Sequence, residues 1–225
     1  MFVGHFAIGL AVKARRPEVP ALPLMMAVGF LDILYGFSVV AGIDRITPDL
    51  QSGPYLFFDL TFIDWDHSLL MAVFWSLVWA AFFFRNKPLA VIFGLAVFSH
   101  FIADWTVHND DLALYPHAQA HVGLGLWGKL GTISWILEGV FAAVLLAYAW
   151  RANAVRNVSS LWPCLLLAGS FVLLSPWLSP MLFVAALGEP AAHLVHGASE
   201  ALGFLLLAWL LGWLLTRAEQ QAGPT

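Results

Sequence analysis

Three groups that are costly to place in lipid interrupt an otherwise apolar run: His100, Asp104 and His108, at the end of the stretch from Pro88 to His108. In a helix, positions four and eight apart fall within roughly 40° of one face. The two imidazoles and the carboxylate therefore line one stripe, the arrangement that a divalent metal or a proton path would use. An ionisable residue inside a membrane helix is a functional-site hypothesis by default. The plainer account has His108, and Asp104 with it, solvated in the headgroup layer. His100 lies too deep for that.

The elements that must position these groups follow from composition. The chain of 225 residues is 61% hydrophobic and 11% charged, with eleven tryptophans and a mean hydropathy of +0.82. A soluble domain of this length needs far more surface charge, so the composition predicts a polytopic membrane protein. The apolar runs are continuous rather than alternating, which predicts helices and excludes a closed barrel. A net charge of −4 argues against a nucleic-acid partner. One cysteine, Cys164, excludes an internal disulfide and any multi-thiolate zinc site; it reads as a small packed residue. The run from Met1 to Val12 has no basic segment before it, unlike a cleavable signal peptide.

The fold class expected is all-α, a polytopic transmembrane bundle of about six spans plus a short N-terminal helix entering the membrane. That short helix covers Phe2 to Val12. The spans are expected at Ala21 to Ile43, His67 to Phe84, Pro88 to Val107, Thr132 to Trp150, a shorter Ser160 to Ser175, and Ala191 to Leu215. Asp44 to Asp66 reads as a mixed polar and aromatic connection, with turns at Pro48, Gly53 and Pro54. Its aromatic part, Pro54 to Trp65, reads as an interfacial belt. The Ser-Pro-Trp-Leu-Ser-Pro sequence at 175–180 breaks the chain, and Met181 to Leu187 lies near the interface or re-enters. Residues 1–217 form one helical domain in this reading, and 218–225 a flexible tail.

Alternating spans put Lys13, Arg15, Arg16, Arg85, Lys87, Arg151, Arg156 and Arg217 on one side, with only Arg45 and Lys129 on the other. The positive-inside rule assigns the first side, and with it the C-terminus, to the cytoplasm. Depth then follows. His5, Asp32, Asp66, His67, His100, Asp104, His108, Glu138, His193, His196 and Glu200 all fall at mid-span or in the outer half. The inner half is almost free of such groups.

Imidazole and carboxylate without thiolate suit zinc, or iron and manganese in more oxygen-rich sets. A metal would also give buried carboxylates a countercharge. The first candidate ligands are His67, His100, Asp104 and His108, with His5 and Asp32 next. Asp32 or Glu138 is the candidate catalytic carboxylate, acting as general base or orienting a ligating imidazole. His193, His196 and Glu200 share one face of the last span at spacings of three and four. They either hydrogen-bond to neighbouring helices and interfacial water, or form a second cluster closing the same polar cavity. Any one intramembrane histidine, taken alone, can equally be a packing residue.

Several of these motifs resemble a known family. Phe2-Val-Gly-His5-Phe-Ala-Ile-Gly, Leu31-Asp32, His67-Ser-Leu-Leu, His100-x-x-x-Asp104-x-x-x-His108 and Val122-Gly-Leu-Gly-Leu-Trp are similar to motifs of small bacterial inner-membrane proteins known as predicted membrane-bound metal-dependent hydrolases. The likeness covers about residues 1–140. It implies a metal role for His5, Asp32, His67, His100, Asp104 and His108, and a bacterial inner-membrane location. Where such relatives carry Pro-Asp-x-Asp-His, this chain has Phe-Leu-Asp32-Ile-Leu, so a two-metal site is not carried over.

The leading expectation is metal-assisted hydrolysis of a lipid-linked or membrane-embedded ester or phosphoester from the periplasmic side. Membrane lipid and a lipid-like or small-molecule substrate are the expected partners. The rival readings are a proton or metal-cation transporter or channel, and a structural or assembly subunit of a membrane complex. Gly123-Leu-Gly-Leu-Trp-Gly128-Lys129 fits most of a phosphate loop, but Leu130 replaces the Ser/Thr that would hold magnesium and no strand precedes it. It reads instead as a flexible outer loop or an interfacial segment.

Overall fold

The computed structural model describes residues 1–223. Its helices are α1 (Phe2–Arg15), α2 (Ala21–Val28), α3 (Phe30–Val40), α4 (Asp64–His67), α5 (Leu69–Ala81), α6 (Lys87–Val107), α7 (Leu126–Leu130), α8 (Thr132–Ala154), α9 (Leu161–Leu173), α10 (Met181–Ala185) and α11 (Ala191–Ala222). Two short strands, β1 (Arg45–Pro48) and β2 (Phe58–Phe62), pair antiparallel with Arg45 opposite Phe62.

Three helices, α6, α8 and α11, are long and apolar enough to cross a membrane, and the bent pair α2 and α3 makes a fourth. At 13 residues each, α5 and α9 fall short of the ~20 that a bilayer core demands. The lengths thus give up to four full spans where the sequence predicts six. The expected span from Ala21 to Ile43 is broken at Gly29 and bent by 56°. The expected tail is also shorter. α11 continues through Ala222, because Ala218 is buried and Glu219 pairs with Lys13 at 2.8 Å. Pro224 and Thr225 lie outside the described residues.

The connection from Asp44 to Asp66 is more ordered than its turn residues suggest. Ile46 and Leu60 face inward on the hairpin while Arg45 and Asp59 face out, and the Arg45 guanidinium covers the Phe62 ring at 5.1 Å. Local signals set two helix starts. The Ser68 hydroxyl accepts from the Met71 amide at the start of α5, and the Asn86 side chain accepts from the Leu89 amide at the start of α6.

α11 packs along α2 and α3, α1 along α8, and α5 along α6. α3 and α11 touch backbone to backbone: a Cβ on Gly36 would stand 2.4 Å from the Ala201 nitrogen and 2.6 Å from the Gly197 oxygen. Small residues permit such approaches between membrane helices. α1 descends from Met1 while α6 rises to His108, so His5 stacks on His100 at 3.6 Å and Lys13 lies toward the start of α6. Glu219 draws Lys13 and Arg156 together at that far end, Arg156 at 3.9 Å. The basic residues at the ends of α1, α8 and α11 therefore gather at one end of the bundle and the histidine cluster at the other.

Candidate metal centre

Six side chains from four segments converge around the Asp104 carboxylate. His5 comes from α1, Asp32 from the first turn of α3, His67 from the end of α4, and His100, Asp104 and His108 from the last turns of α6 and its cap. Asp104 Oδ2 lies 2.9 Å from His100 Nε2 and 3.7 Å from His67 Nε2; Oδ1 lies 3.1 Å from His5 Nε2 and 3.8 Å from His108 Nε2. Asp32 reaches His67 Nε2 at 3.3 Å and His100 Nε2 at 3.4 Å. The Met1 amino group also donates to Asp104. All four histidines and Asp104 are buried, while Asp32 opens on a cavity.

Tetrahedral zinc holds its ligands at about 2.0–2.2 Å, which puts neighbouring ligand atoms roughly 3.4 Å apart. The spacings here bracket that value. Two groups, His5 with Asp32 and His100, and His67 with His100 and Asp104, keep their ligand atoms within 4.8 Å of one another. His67 Nε2, His100 Nε2 and Asp104 Oδ2 are buried and make no well-aligned hydrogen bond, although they face one another and Asp32 at 2.9–3.7 Å. Buried polar atoms crowded together in this way are costly unless a proton or a cation lies between them. The donor set therefore fits a divalent metal, and the buried His/Asp groups could hold one.

The ring nitrogens on the far sides explain why Nε2 is the atom presented. His67 Nδ1 donates to Asp66 Oδ1 at 2.6 Å, and His100 Nδ1 donates to the Val28 carbonyl at 2.7 Å. His108 Nδ1 lies 3.2 Å from Asp111 Oδ1. A partner on one imidazole nitrogen fixes the tautomer that leaves the other free to ligate. Beyond Asp66 lies Asp44, fully buried in the loop after α3 with neither oxygen partnered. Burial, reinforced by the Asp66 carboxylate, pushes the Asp44 carboxyl above the usual carboxylate range.

The remaining candidates divide. Glu138 stands apart from the cluster: its Oε1 accepts from the Val3 and Gly4 amides at 2.9 and 3.2 Å, and its Oε2 from the Tyr55 hydroxyl at 2.8 Å. His193 bonds the Val39 carbonyl at 3.0 Å and His196 the Tyr35 hydroxyl at 2.8 Å. Both histidines thus fasten α11 to α3, as the hydrogen-bonding alternative for this face has it. Glu200 alone of that trio lines the cavity with Asp32.

That cavity, about 390 Å³, begins at Asp32, His67, His108 and Glu200 and continues between α9 and α11. Its walls are otherwise almost wholly apolar. Sequence reasoning missed Asp66 and Asp111 as imidazole partners, although each sits within three residues of its histidine. Trp127, the last residue of the Val122-Gly-Leu-Gly-Leu-Trp motif, is buried against the His108 ring at 4.5 Å, a contact that the motif alone does not reveal. The glycine-rich segment before it has a packing explanation: a Cβ on Gly123 would fall 2.0 Å from the Asn109 carbonyl oxygen.

Fold and site together define a mostly helical protein with helices long and apolar enough to cross a membrane, and a buried His/Asp centre that could hold a metal ion. Comparisons with protein-family models, curated proteins and solved structures find no match for this chain.

Proposed function

We propose that the protein is a metal-dependent hydrolase of a bacterial inner membrane, cleaving a lipid-linked or membrane-embedded ester or phosphoester from the periplasmic side. The observation that carries this reading is the convergence of His67, His100 and Asp104, three buried residues whose ligand atoms lie within 4.8 Å of one another, beside an apolar cavity. A divalent ion there, zinc by the chemistry of the donors, would supply Lewis acidity and a water that ionises near neutral pH. His67, His100 and Asp104 would hold it, with His5, His108 and Asp32 completing the set. Asp32 and Glu200, the carboxylates that face the cavity, are placed to take and return a proton. Asp66, Asp111 and the Val28 carbonyl keep the imidazoles in register.

The positive-inside rule puts the end bearing Lys13, Arg156 and Arg217 in the cytoplasm, and the centre on the opposite side. α5 and α9 complete six spans as short helices.

The break at Gly29 favours a second reading, a proton or cation transporter, since discontinuous helices build transporter sites. A conducting path needs polar groups below the centre. Leu10 and Met25, which flank Gly9 one turn beyond His5 on α1, are buried and apolar instead, which supports the enzyme over the conductor.

Elemental analysis of purified protein tests the reading. Stoichiometric metal in the wild type and its loss in His100→Ala are expected, with membrane insertion retained. A wild type that takes up no divalent metal when supplied with it overturns the reading.

A further inference from the structure

The cavity differs in character along its length. At one end stand the centre's own Asp32, His67 and His108, with Glu200 beside them. From there it follows α11 past Gly203 and Leu207 to Leu210, with Leu166 and Leu173 of α9 opposite. From Glu200 to Leu210 is ten residues, about 15 Å along a helix. Its volume of about 390 Å³ lies in the range of sites that bury small ligands. A length of about 15 Å is that of one extended chain of about a dozen carbons.

The cavity also has a side opening. Leu173 of α9 and Leu206 of α11 line it and are 55% and 57% exposed, so the cavity reaches the outer surface between these two apolar helices. In a bilayer, that surface would meet lipid. Gly203 supplies a further sign, because a Cβ added there meets nothing within 4 Å. A glycine in mid-helix costs about 1 kcal/mol relative to alanine. Here it leaves room where a side chain would stand.

We propose that this cavity seats a single apolar chain of the substrate, which enters sideways from the bilayer between α9 and α11 and brings its scissile bond to Asp32, His67 and His108. The substrate class is then a one-chain amphiphile whose reactive bond lies at the head end. The chemistry at that end rests on the hydrolase reading, whereas the seat rests on the cavity.

The probe is monododecanoyl glycerol carrying a diazirine near its methyl end, presented in detergent micelles to the full-length protein and photolysed. Mass spectrometry is expected to find adducts around Leu166, Leu207 and Leu210. Gly203→Trp should lower that labelling at least tenfold and Gly203→Leu by a smaller factor, both retaining wild-type metal content and melting temperature. Leu202→Trp, on the lipid face at 63% exposure, should leave it unchanged. Adducts confined to Leu202 and Trp209, or labelling indifferent to both Gly203 variants, overturn the proposal. An unlabelled cavity in a protein that binds metal removes the seat and spares the hydrolase. A labelled cavity in a protein that binds none does the reverse.

Discussion

His100 donates from Nδ1 to the Val28 carbonyl at 2.7 Å, across the break that separates α2 from α3. In a straight helix that carbonyl would accept from the amide of Asp32. Inside a membrane, backbone groups released by a break must find partners in the protein. One irregularity therefore does two things: it fixes the His100 tautomer, and it opens α3 on Asp32, which reaches His100 Nε2 at 3.4 Å. The bend of α2 and α3 and the geometry of the centre depend on each other.

Asp66 stands behind His67 as Val28 stands behind His100. Its Oδ1 accepts from Nδ1 at 2.6 Å, leaving Nε2 toward the cluster. Asp66→Ala removes no ligand, so a direct role would predict no change in metal binding. We expect affinity to fall about 10–100-fold, measured by competition with a chromogenic chelator, with Asp66→Asn intermediate. Unaltered affinity in both variants would mean that His67 is oriented by packing alone.

The backbone contact between α3 and α11 yields a stability prediction. Because the atoms facing Gly36 are the Ala201 nitrogen and the Gly197 oxygen, no side-chain rotation can make room. Overfilling a packed interior costs typically 1–3 kcal/mol, and Gly36→Leu should reach at least that. Thermal unfolding in detergent reads it, with Gly169→Ala, whose Cβ meets nothing within 4 Å, as the control that should hold or raise the melting temperature, since alanine favours a helix interior over glycine. A wild-type melting temperature for Gly36→Leu would show that α3 and α11 can part without loss.

How much of this was legible in the chain depends on range. The stripe of His100, Asp104 and His108 followed from the helical period alone, and the gathering of His5, Asp32 and His67 beside it matched their common depth. The break at Gly29 was not legible, since a glycine within the apolar run Met25-Met-Ala-Val-Gly-Phe-Leu fits a straight span as well as a bent one. The orientation of Asp66 depends on the four-residue α4 and the turn at Ser68, which adjacency in sequence does not specify. The hairpin hid behind Pro48, Gly53 and Pro54. The extra turn of α11 needed knowledge that Glu219 meets Lys13, 206 positions earlier. The cavity needed two helices and a loop whose spacing no local pattern carries.

Side-specific labelling tests the placement of the centre relative to the membrane. α6 begins at Lys87 and ends at Val107, about 30 Å away at helical rise, so its two ends should face different compartments. In a Cys164→Ser background, cysteines at Arg85 and Lys87 should resist a membrane-impermeant maleimide in intact cells, and one at Asp110 should react. Reversed labelling would put the centre on the cytoplasmic side and remove the periplasmic assignment.

Glu138 gives the sharpest separation of structural from catalytic roles. Its carboxylate accepts from two amides at the start of α1 and from the Tyr55 hydroxyl, so it holds the helix that delivers His5. Amides at a helix start have no partners within the helix and carry partial positive charge, and a carboxylate there is favoured for both reasons. Hydrogen bonds to a charged group contribute about 1.5–3 kcal/mol, so Glu138→Ala should lower stability by an amount of that order. Glu138→Gln, which keeps an acceptor oxygen, should lose about half or less, and Tyr55→Phe about 1 kcal/mol. Metal affinity should fall in step with these losses, because His5 moves when α1 loosens. A catalytic base would behave differently: Glu138→Gln would then leave stability and metal content at wild-type values while abolishing ester cleavage. Unfolding and metal binding measured on the same three variants decide between the two roles.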